Sequence, residues 1–222
     1  MNIWDPFHPV AYFLHALLGL GGILCAIVAL ASTKGSGTHK LAGRLFSVAA
    51  AVAAATAIWF SFTNFAPLAI ASAMMMLSVV ASGILAHRGK QAWITVGEVA
   101  AAILMALVLA WLAFGVVQAV SHGGVAWIPP LVLALVACGM LVNDIRFIGL
   151  APTARESRRL LRHVSRMGFA FAIAIHEPTV VFSDDLGVPL SVAFYAPLFI
   201  WPAIVFYFRN RIRSGAMTLE FE

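Results

Sequence analysis

Apolar residues run through this chain in blocks of about twenty, broken by short polar turns. A bilayer core takes roughly 20 residues of helix. Seven blocks reach that length, at 10–31, 42–62, 67–86, 94–120, 128–148, 163–182 and 190–208. The pattern predicts an all-α polytopic membrane protein, a bundle of seven transmembrane helices forming one integral domain over 1–222. Lys34-Gly35-Ser36-Gly37-Thr38-His39-Lys40 and His87-Arg88-Gly89-Lys90 read as basic turns, Thr63-Asn64-Phe65-Ala66-Pro67 as a tight neutral one. Pro129 and Pro130 fall where a helix accepts proline, in its first turn. Pro197 and Pro202 lie inside the last block and predict a kink or local unwinding there.

Composition turns the pattern into a class. The chain is 62% hydrophobic and only 10% charged, with a mean hydropathy of +0.96. A soluble domain carries about a quarter charged residues, so the medium around these helices is lipid. Cys25 and Cys138 sit within apolar runs and imply no disulfide framework. No Lys or Arg precedes the first apolar run, so a secretory leader is not expected and the first helix is expected to be retained.

The net charge of +5 and pI near 9.8 do not point to nucleic acid, because of where the basic residues fall. Threaded through seven spans, all 14 Lys and Arg residues land on one side. Asp5, Asp184 and Asp185 land on the other. By the positive-inside rule the basic side is cytoplasmic, which puts the N-terminus outside, the C-terminus inside, and the protein in the cell inner membrane. Arg155, Arg158, Arg159 and Arg162, ahead of the sixth block, are expected to meet anionic lipid headgroups. A membrane-protein partner or a homo-oligomer stays open.

Candidate chemistry gathers on histidines. His15 lies about six residues, or roughly 9 Å, inside the first helix, and His176 about the same distance from the outer end of the sixth. Two histidines at one depth on different helices could ligate a haem b iron from both faces, or share a metal with Glu177. His163 with His39 or His87 suggests an inner pair. The thirteen residues from His163 to His176 span roughly 20 Å, though they leave the side chains about 140° apart on an ideal helix. A mutual hydrogen bond, or a His15–Glu177 pair, would satisfy the same groups without a cofactor. Glu98 is expected to accept from Arg44 or Lys90, and Asp144 to be solvated or paired locally near Arg146. His122, in Ser121-His122-Gly123-Gly124, reads as a solvated loop residue.

Two segments carry a resemblance. The early run is His15…Gly19…Gly22…Ala29-Leu30…Lys34-Gly35…His39…Gly43-Arg44-Leu45-Phe46. With the later His163-Val164-Ser165-Arg166-Met167, it resembles a bacterial family of predicted multi-pass membrane proteins of unknown function. The resemblance implies that His15, His39, Arg44, His163, Arg166 and Met167 are the family-like positions. His176-Glu177-Pro178 departs from that pattern. The family implies no activity.

Three functional readings follow. One is a b-type cytochrome-like transmembrane electron carrier with haem on His15, His176, His39 and His163. Another is a cofactor-free accessory or transport protein with a His/Glu polar or proton-handling cluster. The third is a zinc hydrolase, for which no helix offers His-x-x-x-His spacing. No catalytic residue is identified.

Overall fold

A computed structural model describes residues 9–64, 66–86, 92–123 and 125–215. Asp5, His8, His87, Arg88 and Lys90 therefore lie outside the described residues, and with them the His87 alternative for the inner pair. The described chain is all helical: α1 Pro9–Ala31, α2 Gly37–Asn64, α3 Pro67–Leu85, α4 Ala92–Ser121, α5 Ile128–Ile148, α6 Pro152–Val181 and α7 Leu190–Arg213. Six of these are long and apolar enough to cross a membrane, and α6 is the exception. α6 starts 11 residues earlier than the apolar block suggests, because the arginine segment continues the same helix. Its first half is thus too charged to count as an apolar span, although its second half is closely buried.

Connections follow from local chemistry. Gly35 takes φ +82°, a left-handed conformation that closes the turn from α1 to α2. Proline opens α3 and α5 in their first turns, where no intrahelical N–H is lost. α7 runs unbroken through Pro197 and Pro202, so the expected unwinding does not occur. Inside α6, Pro178 removes one backbone donor. The Thr179 hydroxyl reaches the carbonyls of Ile175 at 2.9 Å and His176 at 2.8 Å, adding polar contacts beside that gap.

Consecutive helices from α1 to α5 pack pairwise, α6 packs on α3 and α7, and α1 also touches α6. The protein is apolar outside as well as inside. Leu17, Leu24, Val96, Ile103, Phe114 and Phe199 are all exposed, as a lipid-facing surface requires. Lipid is as apolar as these side chains, so helix association rests on close packing of small residues rather than on escape from water. α3 and α6 supply that packing. A Cβ on Gly83 would lie 2.8 Å from the Met167 sulfur and 3.2 Å from Arg166 Cβ, so α3 and α6 approach closely there. Phe169 is fully buried and meets Trp201 of α7 edge-on at 5.2 Å.

Candidate functional site

α6 carries two polar stations, one in each half, with a dry segment between; the names outer and inner follow the orientation expected from the distribution of basic residues. The outer station is built from α1, α2, α6 and α7. His15 Nδ1 lies 2.7 Å from Thr56 Oγ1 of α2, and the His15 ring packs edge-on against Phe60. On α6, His176 Nδ1 is 3.4 Å from Glu177 Oε1, and the buried His176 ring packs edge-on against Phe194 of α7. Glu177 also lies within electrostatic reach of His15. The mutual His15–His176 hydrogen bond is not formed, since each ring has its own partner. His176 Nε2 and Glu177 Oε1 are buried without a hydrogen bond. Such groups are rare in folded proteins and mark places where a proton, water or ligand belongs.

The other residues singled out in the early and late sequence segments serve several interfaces. His39 Nδ1 donates to the Ala29 carbonyl at 2.9 Å, at the end of α1. His163 Nδ1 donates to the Gly83 carbonyl at 3.0 Å, tying α6 to α3. His39 and His163 are thus held on different helices, and no hydrogen bond is shown between them. Met167 fills the space beside Gly83, and Arg44 is exposed. His122 is exposed in its loop, with Nδ1 on the Gln118 carbonyl at 2.6 Å.

The inner station corrects three expectations. The arginines ahead of the apolar part of α6 do not form a solvated headgroup stripe: Arg159, Arg162 and Arg166 are buried, and Arg158 is exposed. Asp144 is neither solvated nor paired with Arg146. It is 1% exposed, and its Oδ1 accepts from Arg162 Nη1 at 2.9 Å and from Arg166 Nη2 at 2.5 Å. Arg166 Nη2 also reaches the Met140 carbonyl at 2.9 Å. Glu98 turns to Arg155, 3.6 Å away, rather than to Arg44. Phe147 lies under both Arg162 and Arg155, 4.2 and 5.4 Å from their guanidinium carbons. The reason is spacing. On a helix of 100° per residue, Arg155, Arg159, Arg162 and Arg166 fall within an arc of about 60°, and Arg158 falls outside it. That face meets α4 and α5, each of which offers one carboxylate.

Sequence reading missed Thr56, Phe60 and Phe194 around the outer station, for which the sequence holds no signal. The Asp144–Arg162–Arg166 knot did have one: a carboxylate in an apolar run demands a cation. Between the stations, Phe169, Ala170, Phe171, Ala172 and Ile173 are all buried and form an apolar plug. Among the described residues no three His, Cys, Asp or Glu side chains come together as a metal site. Comparison with protein-family models, with curated proteins and with solved structures gives no match.

Proposed function

We propose that the outer station, His15, His176 and Glu177, takes up and releases a proton in a multi-pass membrane protein of transport or accessory type. The observation that carries this reading is the His176–Glu177 pair, Nδ1 to Oε1 at 3.4 Å, on a buried imidazole whose Nε2 has no hydrogen-bond partner. An imidazole beside a carboxylate is a two-site proton holder, and the only side chain with an ordinary pKa near neutrality is histidine. A proton arriving at this station turns the pair into imidazolium and carboxylate, and its loss restores a neutral ring. Thr56 holds His15 in place within Glu177's field, and Phe60 and Phe194 shield the two rings. The apolar plug from Phe169 to Ile173 keeps that proton from the inner station in this conformation.

The N-terminus faces outside and the C-terminus the cytoplasm, across the inner membrane. Exposed Arg44, Arg158, Arg209, Arg211 and Arg213 meet anionic headgroups on the cytoplasmic side. pH-difference infrared spectra of the purified protein test the proton site. An imidazole signal that responds to pH, is lost in His176→Gln and is altered in Glu177→Gln is the expected result. A spectrum in which Glu177→Gln changes nothing overturns it.

One pattern favours a second reading, a b-type cytochrome-like electron carrier. In His15, His39, His163 and His176 alike, Nδ1 faces an oxygen. Ligating histidines are held this way, with Nε2 turned to the metal. Gly19, one turn from His15, has no atom within 4 Å of where a Cβ would lie, which leaves room on that side. Gly22 and Gly168 do not add to it, since they pack against Ala49 of α2 and Ile204 of α7. Haem b on these histidines would supply one-electron transfer between the two sides. An absorption spectrum decides: a Soret band that shifts on reduction supports haem, and a featureless visible region leaves the proton reading.

A further inference from the structure

α2 and α4 both pack on α3, and between them an open groove of about 530 Å³ runs over α3. That is the size of a small-ligand site, which spans about 300–1,000 Å³. Small residues keep it open: Ala51 on α2, Ala81 on α3, and Gly97 and Ala100 on α4 all line it. Two hydroxyls lie along it, and both are spent. Ser47 donates to the Gly43 carbonyl at 2.8 Å, and Ser78 donates to the Ala101 carbonyl at 2.8 Å. The walls therefore offer no side-chain donor, and an occupant must be apolar along its length.

One end of the groove differs. Short connections join α3 to both neighbours, so α2 and α4 begin at the same end. Arg44 stands three residues before Ser47 and seven before Ala51, on one face of α2. Trp93 stands four residues before Gly97, on the corresponding face of α4. Both side chains are exposed, and Arg44 makes no ion pair or hydrogen bond among the described residues. Arginine and tryptophan near helix ends are residues of the membrane interface. From Arg44 to Ala51 the helix rises about 10 Å, against about 15 Å for one leaflet's half of the hydrocarbon core.

We propose that this groove seats one acyl chain of an anionic phospholipid, with the headgroup phosphate on Arg44 and Trp93 at the level where chain meets headgroup. A second copy of the protein fits the charge less well. Copies in one membrane share an orientation, so the two-fold axis of a dimer lies along the membrane normal. A dimer joined at this groove would bring a second Arg44 to the same depth, positive against positive. A phospholipid brings an anion there instead. The headgroup half of the proposal rests on exposed Arg44 meeting anionic headgroups; the chain half rests on the groove alone, and neither depends on the proton site.

The test uses the full-length protein in nanodiscs of phosphatidylcholine with phosphatidylglycerol as the minor component, released into mild detergent for native mass spectrometry. Wild type is expected to retain one phosphatidylglycerol per chain, above its share of the bilayer. Ala100→Phe fills the groove from an exposed position and should lose that lipid. Val99→Phe, exposed on α4 but outside the groove, should keep it. Arg44→Gln should lower the preference for phosphatidylglycerol about fivefold while a lipid chain stays in place. A second measurement needs no variant. Phosphatidylglycerol with a photoactivatable group on its chain should label 77–84 of α3 and 97–104 of α4 ahead of exposed Phe114 and Phe199.

Equal retention by Ala100→Phe and Val99→Phe, or labelling spread evenly over the exposed residues, overturns the groove as a lipid site and leaves the headgroup reading of Arg44 standing. Wild type that retains the two lipids in their bilayer ratio, or an unchanged preference in Arg44→Gln, overturns the headgroup assignment and the reading of Arg44 with it. A lipid-free dimer overturns the whole proposal and gives the groove to a second copy.

Discussion

Asp144→Asn isolates the inner knot with little change of shape. One oxygen of Asp144 holds both Arg162 and Arg166, so the substitution replaces an ionised acceptor by a neutral one and weakens both hydrogen bonds. Each is worth about 1.5–3 kcal/mol, and removing one partner of a buried ion pair costs about 3–5 kcal/mol because the other charge stays buried. Asparagine still presents one acceptor oxygen, which places the expected loss near the lower end, about 3 kcal/mol. That is a rise of roughly a hundredfold in the unfolding equilibrium constant. Reversible unfolding in mixed micelles or by steric trapping reads it directly, with the exposed neighbour Arg146→Gln as a control expected to change stability by no more than about 0.5 kcal/mol. Adding Arg166→Gln should cost less than the two single losses combined, since the residues share one interaction. If Asp144→Asn matches the Arg146→Gln control, the knot is solvated and the argument for a dry inner station fails.

Other consequences are measurable separately. Gly83→Leu places a side chain where Met167 and Arg166 already sit, and should lower stability by about 1–3 kcal/mol in the same unfolding assay. Lys34→Met should cost about 1 kcal/mol, because Lys34 Nζ caps the Ala29 and Leu30 carbonyls at 2.9 and 2.6 Å and lies 5.0 Å from the Phe208 ring centroid. A stability equal to wild type would show that α1 ends without that cap. Cysteines introduced at Ser36 and at Leu186 should label from opposite faces of the membrane, Leu186 from outside intact cells; labelling of both from one face would undo the orientation.

Helices were legible because lipid imposes one rule, a run of apolar residues long enough to span it, and six of the blocks obey it. α6 was half legible. Its apolar end from Phe169 onward announced a span, while its arginines resembled a cytoplasmic flank. Both readings of an arginine, headgroup contact or buried partner, leave the same one-dimensional trace. The distinction lay in Glu98 and Asp144, isolated carboxylates 46 positions apart (Glu98 to Asp144) in two other apolar helices. Periodicity reports which face of a helix is apolar or charged, and not which neighbour that face meets. The outer station was legible in His15, His176 and Glu177, but their partners Thr56 and Phe194 are ordinary residues in ordinary helices, made significant only by packing.

The buried arginine face has a consequence for how the protein is made. An arginine near the middle of an isolated helix opposes membrane insertion by about 2.5–3.5 kcal/mol, and α6 carries four on one side. Glu98 and Asp144 precede them in the chain, so both countercharges are synthesised before α6 leaves the ribosome. If α6 spans the bilayer, it is expected to enter late, after α4 and α5 are in place, and to be joined closely by α7. The order of the helices is thus part of the route to the folded state. A rearranged gene that placed α6 ahead of α4 and α5 would encode the same contacts and strand their arginines at the membrane surface.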